Sequence, residues 1–115
     1  MPFLMAKINV PINSEQEIAL KSRLGKAIEL IPGLSEKYLL AGIENCKMYL
    51  RGNNEPVAFI EVSIFNNENH IGYEEFPAEV TKIFVDVLNM SPLNVYIKFC
   101  DINAWSVGGN FFNKN

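Results

Sequence analysis

The chain opens MPFLMAKINVP, with a proline directly after the initiator methionine. Inside a chain the nitrogen of Pro2 is an amide; once Met1 is removed it becomes a secondary amine. An amine held in an apolar pocket loses proton affinity and can act as a base near neutral pH. A bland reading stands beside this one, because chain ends fray and tolerate most residues. The other reactive side chains form no constellation. His70 is the single histidine and stands in a polar stretch without the Cys, Asp or Glu partners a metal site needs. Cys46 and Cys100 have no metal-like spacing and read as free thiols rather than a disulfide. Glu68, Glu74 and Glu75 read as a solvated loop and helix start, where negative charge is favourable. No phosphate-cradling glycine loop and no Ser-His-Asp signature is visible, and no cofactor is expected.

Composition narrows the classes further. A length of 115 residues predicts one domain, residues 1–115, able to bury a core without staples. The net charge of −3 speaks against nucleic acid, because a phosphate footprint needs clustered Lys and Arg. No run approaches the ~18 apolar residues of a membrane span. Lys7 interrupts the first apolar stretch, so a secretory signal is not expected. The expected compartment is the cytoplasm, with secretion lacking a signal peptide as the other route.

The elements that must position Pro2 follow from periodicity. Phe3 to Val10 reads as a strand closed by Pro11. SEQEIALKSRLGKAIELIPG follows, with Ser14 and Glu17 spaced as a capping box. Leu20, Leu24, Ala27, Ile28 and Ile31 share one face at helical spacing, and Pro32 and Gly33 stop the helix. YLLAGIE, from Tyr38, reads as a second strand. The pattern then recurs. Val57 to Phe65 is a strand, NNENHIGYEE a polar connection, and Phe76, Val80, Ile83, Phe84 and Val87 the apolar face of a second helix. Pro77 suits its first turn. NVYIKFCD, from Asn94, is the last strand. SVGGN allows a tight turn in a short tail, and Trp105 just before it is a packing residue able to border a site.

The fold class predicted is α+β, an α/β sandwich: two βαβ repeats forming one four-stranded mixed sheet, with both helices on one face. Two helices cover one face only. Yet Val57, Phe59 and Phe65 point away from Ala58, Ile60, Val62 and Ile64, and strands apolar on both faces expect cover on both. A closed symmetric oligomer supplies the second cover.

Several pieces now stand in order: Met-Pro, INVP from Ile8, SEKYLLAG from Ser35, GNNEPVAFIEV from Gly52 and SPLNVYIKFCDINAWSVGGNFF from Ser91. This set, on a doubled βαβ plan, resembles the macrophage migration inhibitory factor family of the tautomerase superfamily, nearly end to end. The resemblance implies a homotrimer with three sheets around a central channel and active sites at subunit interfaces. It implies a cofactor-free keto–enol tautomerase of the phenylpyruvate type, acting on a small α-keto acid or aromatic carboxylate. Pro2 then matches the general base. Tyr96 matches the tyrosine that a neighbouring subunit contributes to the pocket floor, and Val107 with Phe111 and Phe112 match the apolar rim. Ile64 or Phe65 takes the place whose backbone faces the substrate, depending on whether a gap is opened.

The departures carry weight of their own. The family's carboxylate-binding lysine follows the glycine after the first helix, where this chain has Leu34. Lys98 lies two residues beyond Tyr96 on the same strand face, and either replaces that anchor from across the interface or snorkels into solvent. Arg51 in YLRGNNEP is a second cationic candidate, and Lys37 reads as solvent-facing. Gly109 stands where an aromatic residue is common, and VAFI from Val57 replaces a Cys-x-x-Cys. The competing expectation is therefore a catalytically weakened trimer, cytokine-like or ligand-binding, with a protein receptor as partner.

Overall fold

The computed structural model describes residues 1–114; Asn115, the last residue of the expected domain, lies outside the described residues. Strand β1 spans Pro2–Ile8, helix α1 Ser14–Ala27, β2 Leu40–Asn45, β3 Ala58–Phe65, α2 Glu75–Leu88 and β4 Val95–Ile102. Two short strands close the chain, β5 at Ala104–Val107 and β6 at Asn110–Asn113. The main sheet runs β2-β1-β3-β4. Pairing is parallel between β1 and β2 and between β3 and β4, and antiparallel between β1 and β3. The doubled βαβ plan and the mixed four-stranded sheet are as expected from the periodicity.

One sheet face is sealed. Leu4, Ala6, Ile8, Ala58, Ile60, Val62 and Ile64 are all fully buried, and they meet Leu20, Leu24, Ile28, Phe76, Val80, Ile83 and Phe84 from the helices. These are the helical faces read from the 3.6-residue period. The C-terminal end of α2 is closed by local chemistry. Asn89 ends α2 in the left-handed conformation, φ 56°, a role open to asparagine.

Several boundaries differ from the expectation: β1 ends at Ile8 rather than Val10, and α1 ends at Ala27, with a 3₁₀ turn over Ile28–Leu30 before Pro32. The capping box of α1 is built by Asn13 and Gln16, not Ser14 and Glu17: Asn13 Oδ1 accepts from the Gln16 amide at 2.8 Å, and the Asn13 amide donates back to Gln16 Oε1 at 2.9 Å. Tyr38 is not the start of β2. It closes a 3₁₀ turn over Glu36–Tyr38, and the strand begins at Leu40. The tail is not a simple turn but the β5–β6 hairpin. Gly108 and Gly109, at φ 59° and 83°, form its two-residue connection, a conformation that two glycines adopt without strain.

The other sheet face is half-open. Phe3, Met5, Phe59 and Phe65 alternate there with polar residues. At its middle Glu61 lies between two lysines, 3.8 Å from Lys7 Nζ and 3.9 Å from Lys98 Nζ. So this face is less uniformly apolar than the strand runs imply.

Candidate functional site

Strand β1 is interior to the sheet, so the chain end is pinned on both sides. Phe3 pairs with Leu40 of β2, and Pro2 lies opposite Ile64 of β3. Pro2 is buried. A proline is accommodated here because the first residue of a strand need not donate to the ladder. The bland reading of a frayed terminus therefore does not fit its placement.

Pro2 and Met1 form one wall of a cavity of about 680 Å³. Tyr38 bounds it from the 3₁₀ turn, Leu40 from the start of β2, and Trp105, Ser106, Val107, Asn110 and Phe112 from the hairpin. The hairpin register explains all of these hairpin residues but Ser106, which alternates to the other face with Phe111. Trp105 pairs with Phe112 and Val107 with Asn110, so these four side chains share one face of the ribbon. Phe111 pairs with Ser106 in the alternate register; it is 67% exposed and is not part of the cavity wall, so only Phe112 of the expected pair takes the rim. The ribbon is tied down where it leaves and returns: the Lys114 amide donates to the Asn103 carbonyl at 2.9 Å, and Lys114 pairs with Glu68. Burial holds the ammonium of the Met1 terminus below its ordinary value, so the environment at this mouth already disfavours a charged amine.

A buried proline second in the chain, an apolar cavity over it and the doubled βαβ sheet go together with the resemblance. The family model for macrophage migration inhibitory factor (MIF) matches residues 1–112. The chain belongs to this family. Among solved structures it is similar to MIF2 of Leishmania major, with a TM-score of 0.88 at 14% identity over 97% of each chain. It is similar to the macrophage migration inhibitory factor homologue of Prochlorococcus marinus, with a TM-score of 0.84 at 24% identity over 96% of this chain and 99% of that one. A fused 4-OT, described as a wild-type asymmetric trimer, matches with a TM-score of 0.84 at 16% identity over 94% of each chain.

Against the family pattern, the remaining candidates fall in different places. Ile64 pairs with Pro2 but is fully buried in the core and is not part of the cavity wall. Phe65 follows on the half-open face at the end of β3. Tyr96 sits at the other end of the sheet, opposite Phe59, because Asp101 rather than Tyr96 stands level with Pro2 and Ile64. Five residues of strand separate Tyr96 from that level, roughly 16 Å. Tyr96 lines a second cleft of about 390 Å³ with Val57, Phe59 and the segment from Lys47 to Leu50, and is 47% exposed. Within one chain it does not meet Pro2.

The cationic candidates are all engaged. Lys98 shares the face of Tyr96, as strand alternation predicts, and faces Glu61. Arg51 donates to Glu55 Oε1 at 3.0 Å and to Asn94 Oδ1 at 3.2 Å. Lys37 Nζ stands 5.4 Å from the centroid of the Tyr38 ring. Leu34, in the family's lysine position, packs against the core.

Sequence reasoning missed Tyr38, Leu40, Ser106 and Asn110 as cavity residues. It also missed a polar cluster at the far end of β4. Asp101 accepts from His70 Nε2 at 2.7 Å and from the Tyr73 hydroxyl at 2.9 Å, and the His70 and Tyr73 rings stack with centroids 4.7 Å apart. An ionised carboxylate can only accept, so Nε2 carries a proton here. The hydrogen bond from His70, then that from Tyr73, holds the Asp101 carboxyl below its ordinary value. Burial, followed by Asp101 itself, pushes the Tyr73 phenol well above its own. This cluster anchors the loop before α2 and is not part of the Pro2 cavity wall.

Proposed function

We propose that this protein is a cofactor-free keto–enol tautomerase of the phenylpyruvate type, with Pro2 as its general base. The observation that carries the reading is the burial of Pro2 on the wall of an apolar cavity, in the interior strand of the sheet. After removal of Met1 the free secondary amine takes the proton from the carbon beside the substrate carbonyl. The electron pair of that C–H bond becomes the C=C bond of the enolate, and the carbonyl oxygen takes the charge. Proton return to oxygen gives the enol; proton return to carbon reverses the step. A dry, apolar wall keeps the amine neutral between turnovers.

The site is completed by assembly as a homotrimer. Tyr96 is about 16 Å from the level of Pro2 within the chain, so it reaches a Pro2 cavity only from a neighbouring subunit. A relative of the same fold described as a trimer supports this arrangement. Val107 and Phe112 then form the apolar rim around the substrate ring. A second reading, a ligand-binding or cytokine-like trimer with weakened catalysis and a protein receptor, is favoured by one observation: Leu34 packs into the core where the family has its anion-binding lysine. Intact mass together with phenylpyruvate enol–keto kinetics separates the two. A processed chain with turnover above buffer catalysis supports the enzyme; a processed chain without it supports the binding protein.

A further inference from the structure

We infer that Met1 is removed only before the chain folds: the folded protein that still carries Met1 is a trapped form, closed to methionine aminopeptidase. The inference concerns the processing step itself; its consequence for catalysis rests on the tautomerase reading. The step is a hydrolysis. Water adds across the Met1–Pro2 bond, its oxygen goes to the methionine carboxylate, and the Pro2 nitrogen takes a proton and leaves as a secondary amine. An exopeptidase does this by drawing the chain end, extended, into its own cleft. Here the end is not loose. Met1 is half-buried on the cavity wall, and Pro2 is buried and paired with Ile64. Phe3 is paired on both sides, with Leu40 and Ser63, and Leu4 beyond it is fully buried. Drawing two or three residues out strips two ladders at once, where an edge strand would lose one. A neighbouring subunit adds cover and removes none. Cleavage of the folded chain therefore waits for β1 to open, and the open population of a core strand is small.

The order of synthesis leaves the end free first. Pro2 gains its partner only when Ile64 is made, about 60 residues later, or roughly 3–12 s at ~5–20 residues per second. Until then Met1 and Pro2 have no antiparallel neighbour to pair with. The hairpin that bounds the cavity comes later still, and Lys114, which ties it to Asn103 and Glu68, follows it. The window for processing opens with the first residues and closes with the sheet. The share of chains that carry a free Pro2 amine is thus set during synthesis and not corrected afterwards.

The test uses the full-length folded chain with Met1 retained, made while the host's methionine aminopeptidase is inhibited. Purified methionine aminopeptidase is added, and loss of Met1 is followed by intact mass. A synthetic peptide of residues 1–10, which carries the same bond without the sheet, is the comparator. The expected result is cleavage of the folded chain at least tenfold slower than of the peptide. A smaller difference overturns the inference. So does a peptide that resists cleavage, because the block would then lie in the Met-Pro-Phe sequence and not in the fold. Leu4→Ala leaves that sequence intact and loosens β1, so it is expected to speed cleavage of the folded chain at least threefold; Leu4→Val serves if the alanine variant does not fold. Hydrogen exchange of the β1 amides is measured alongside. Faster exchange with an unchanged cleavage rate overturns the opening route. None of these readouts is catalytic turnover, so a processed chain that is inactive on phenylpyruvate refutes the tautomerase reading and leaves the processing result standing.

Discussion

Retention of Met1 should abolish catalysis, and the size of the loss follows from what the residue does at the site. With Met1 in place the Pro2 nitrogen is a peptide amide. Its lone pair is delocalised into the carbonyl, so it is no base at any working pH. A positioned general base contributes about 10²–10⁴ in rate, or about 3–5 kcal/mol of transition-state stabilisation at 1.36 kcal/mol per decade. Met1 also forms part of the cavity wall, so its removal both creates the base and opens space beside it. These two effects have the same sign. The assay is a pair of preparations, one fully processed and one with Met1 retained, each verified by intact mass and compared on phenylpyruvate at pH 7. The processed form is expected to be faster by at least a hundredfold. If the two run at the same rate, the base is another group and the assignment of Pro2 is wrong. A Pro2→Ala variant, processed to a primary amine, should fall between them, because it keeps a terminal amine but loses the ring that fixes the direction of the nitrogen lone pair.

Sedimentation equilibrium should give a trimer at micromolar concentration; a monomer would remove Tyr96 from every Pro2 cavity and with it the interface site. Phe84, fully buried between α2 and the sheet, should cost about 3–5 kcal/mol when replaced by alanine, read as a shift in the urea midpoint; a shift worth under about 1 kcal/mol would mean the core is not built around it. Asp101 has a lowered folded pKa, so the stability it contributes is present above its unfolded value near 4 and is lost as pH falls through the lowered folded value. Asp101→Asn should therefore flatten the acid limb of a Tm-against-pH curve, and an unchanged limb would count against the His70–Asp101 bond. Tyr73 runs the other way: its pKa is raised on folding, so its contribution is full below about pH 10 and falls above it, and Tyr73→Phe should flatten the alkaline limb.

Where one physical signal dominated, the sequence was readable. The α2 face of Phe76, Val80, Ile83 and Phe84 is a clean 3.6-residue stripe, and β3 is a nearly continuous apolar run; both were placed to within a residue or two. Where two signals competed, it was not. Asn13–Gln16 and Ser14–Glu17 have the same spacing and the same capping chemistry. The structure chooses the first pair, and the Gln16 amide also reaches the Val87 carbonyl at 3.4 Å, a contact from a helix 71 residues away. The hairpin strands were illegible for a different reason. Each has four residues, both are largely exposed, and short exposed strands bury too little to leave a strong pattern. Val107 and Phe112 could be named only through resemblance. Tyr38, Leu40 and Asn110 could be named only once the hairpin was seen to fold back toward β1.

Topology explains why a chain end can serve as a site at all. Pairing is parallel within each βαβ repeat and antiparallel between them, so the first residue of β1 lies beside the last residues of β3. Because β3 and β4 run together, β4 also ends at that level, with Asp101 opposite Ile64. Everything that leaves the second repeat therefore leaves beside Pro2: the loop before α2 from β3, and the hairpin from β4. The loop is fastened to Asp101 by His70 and Tyr73, and the hairpin is fastened to the loop by Lys114 and Glu68. A terminus that would fray at a sheet edge is instead enclosed on the interior strand by neighbours on both sides. Under the proposed function, removal of Met1 then converts an inert amide into an amine at a position that the fold buries.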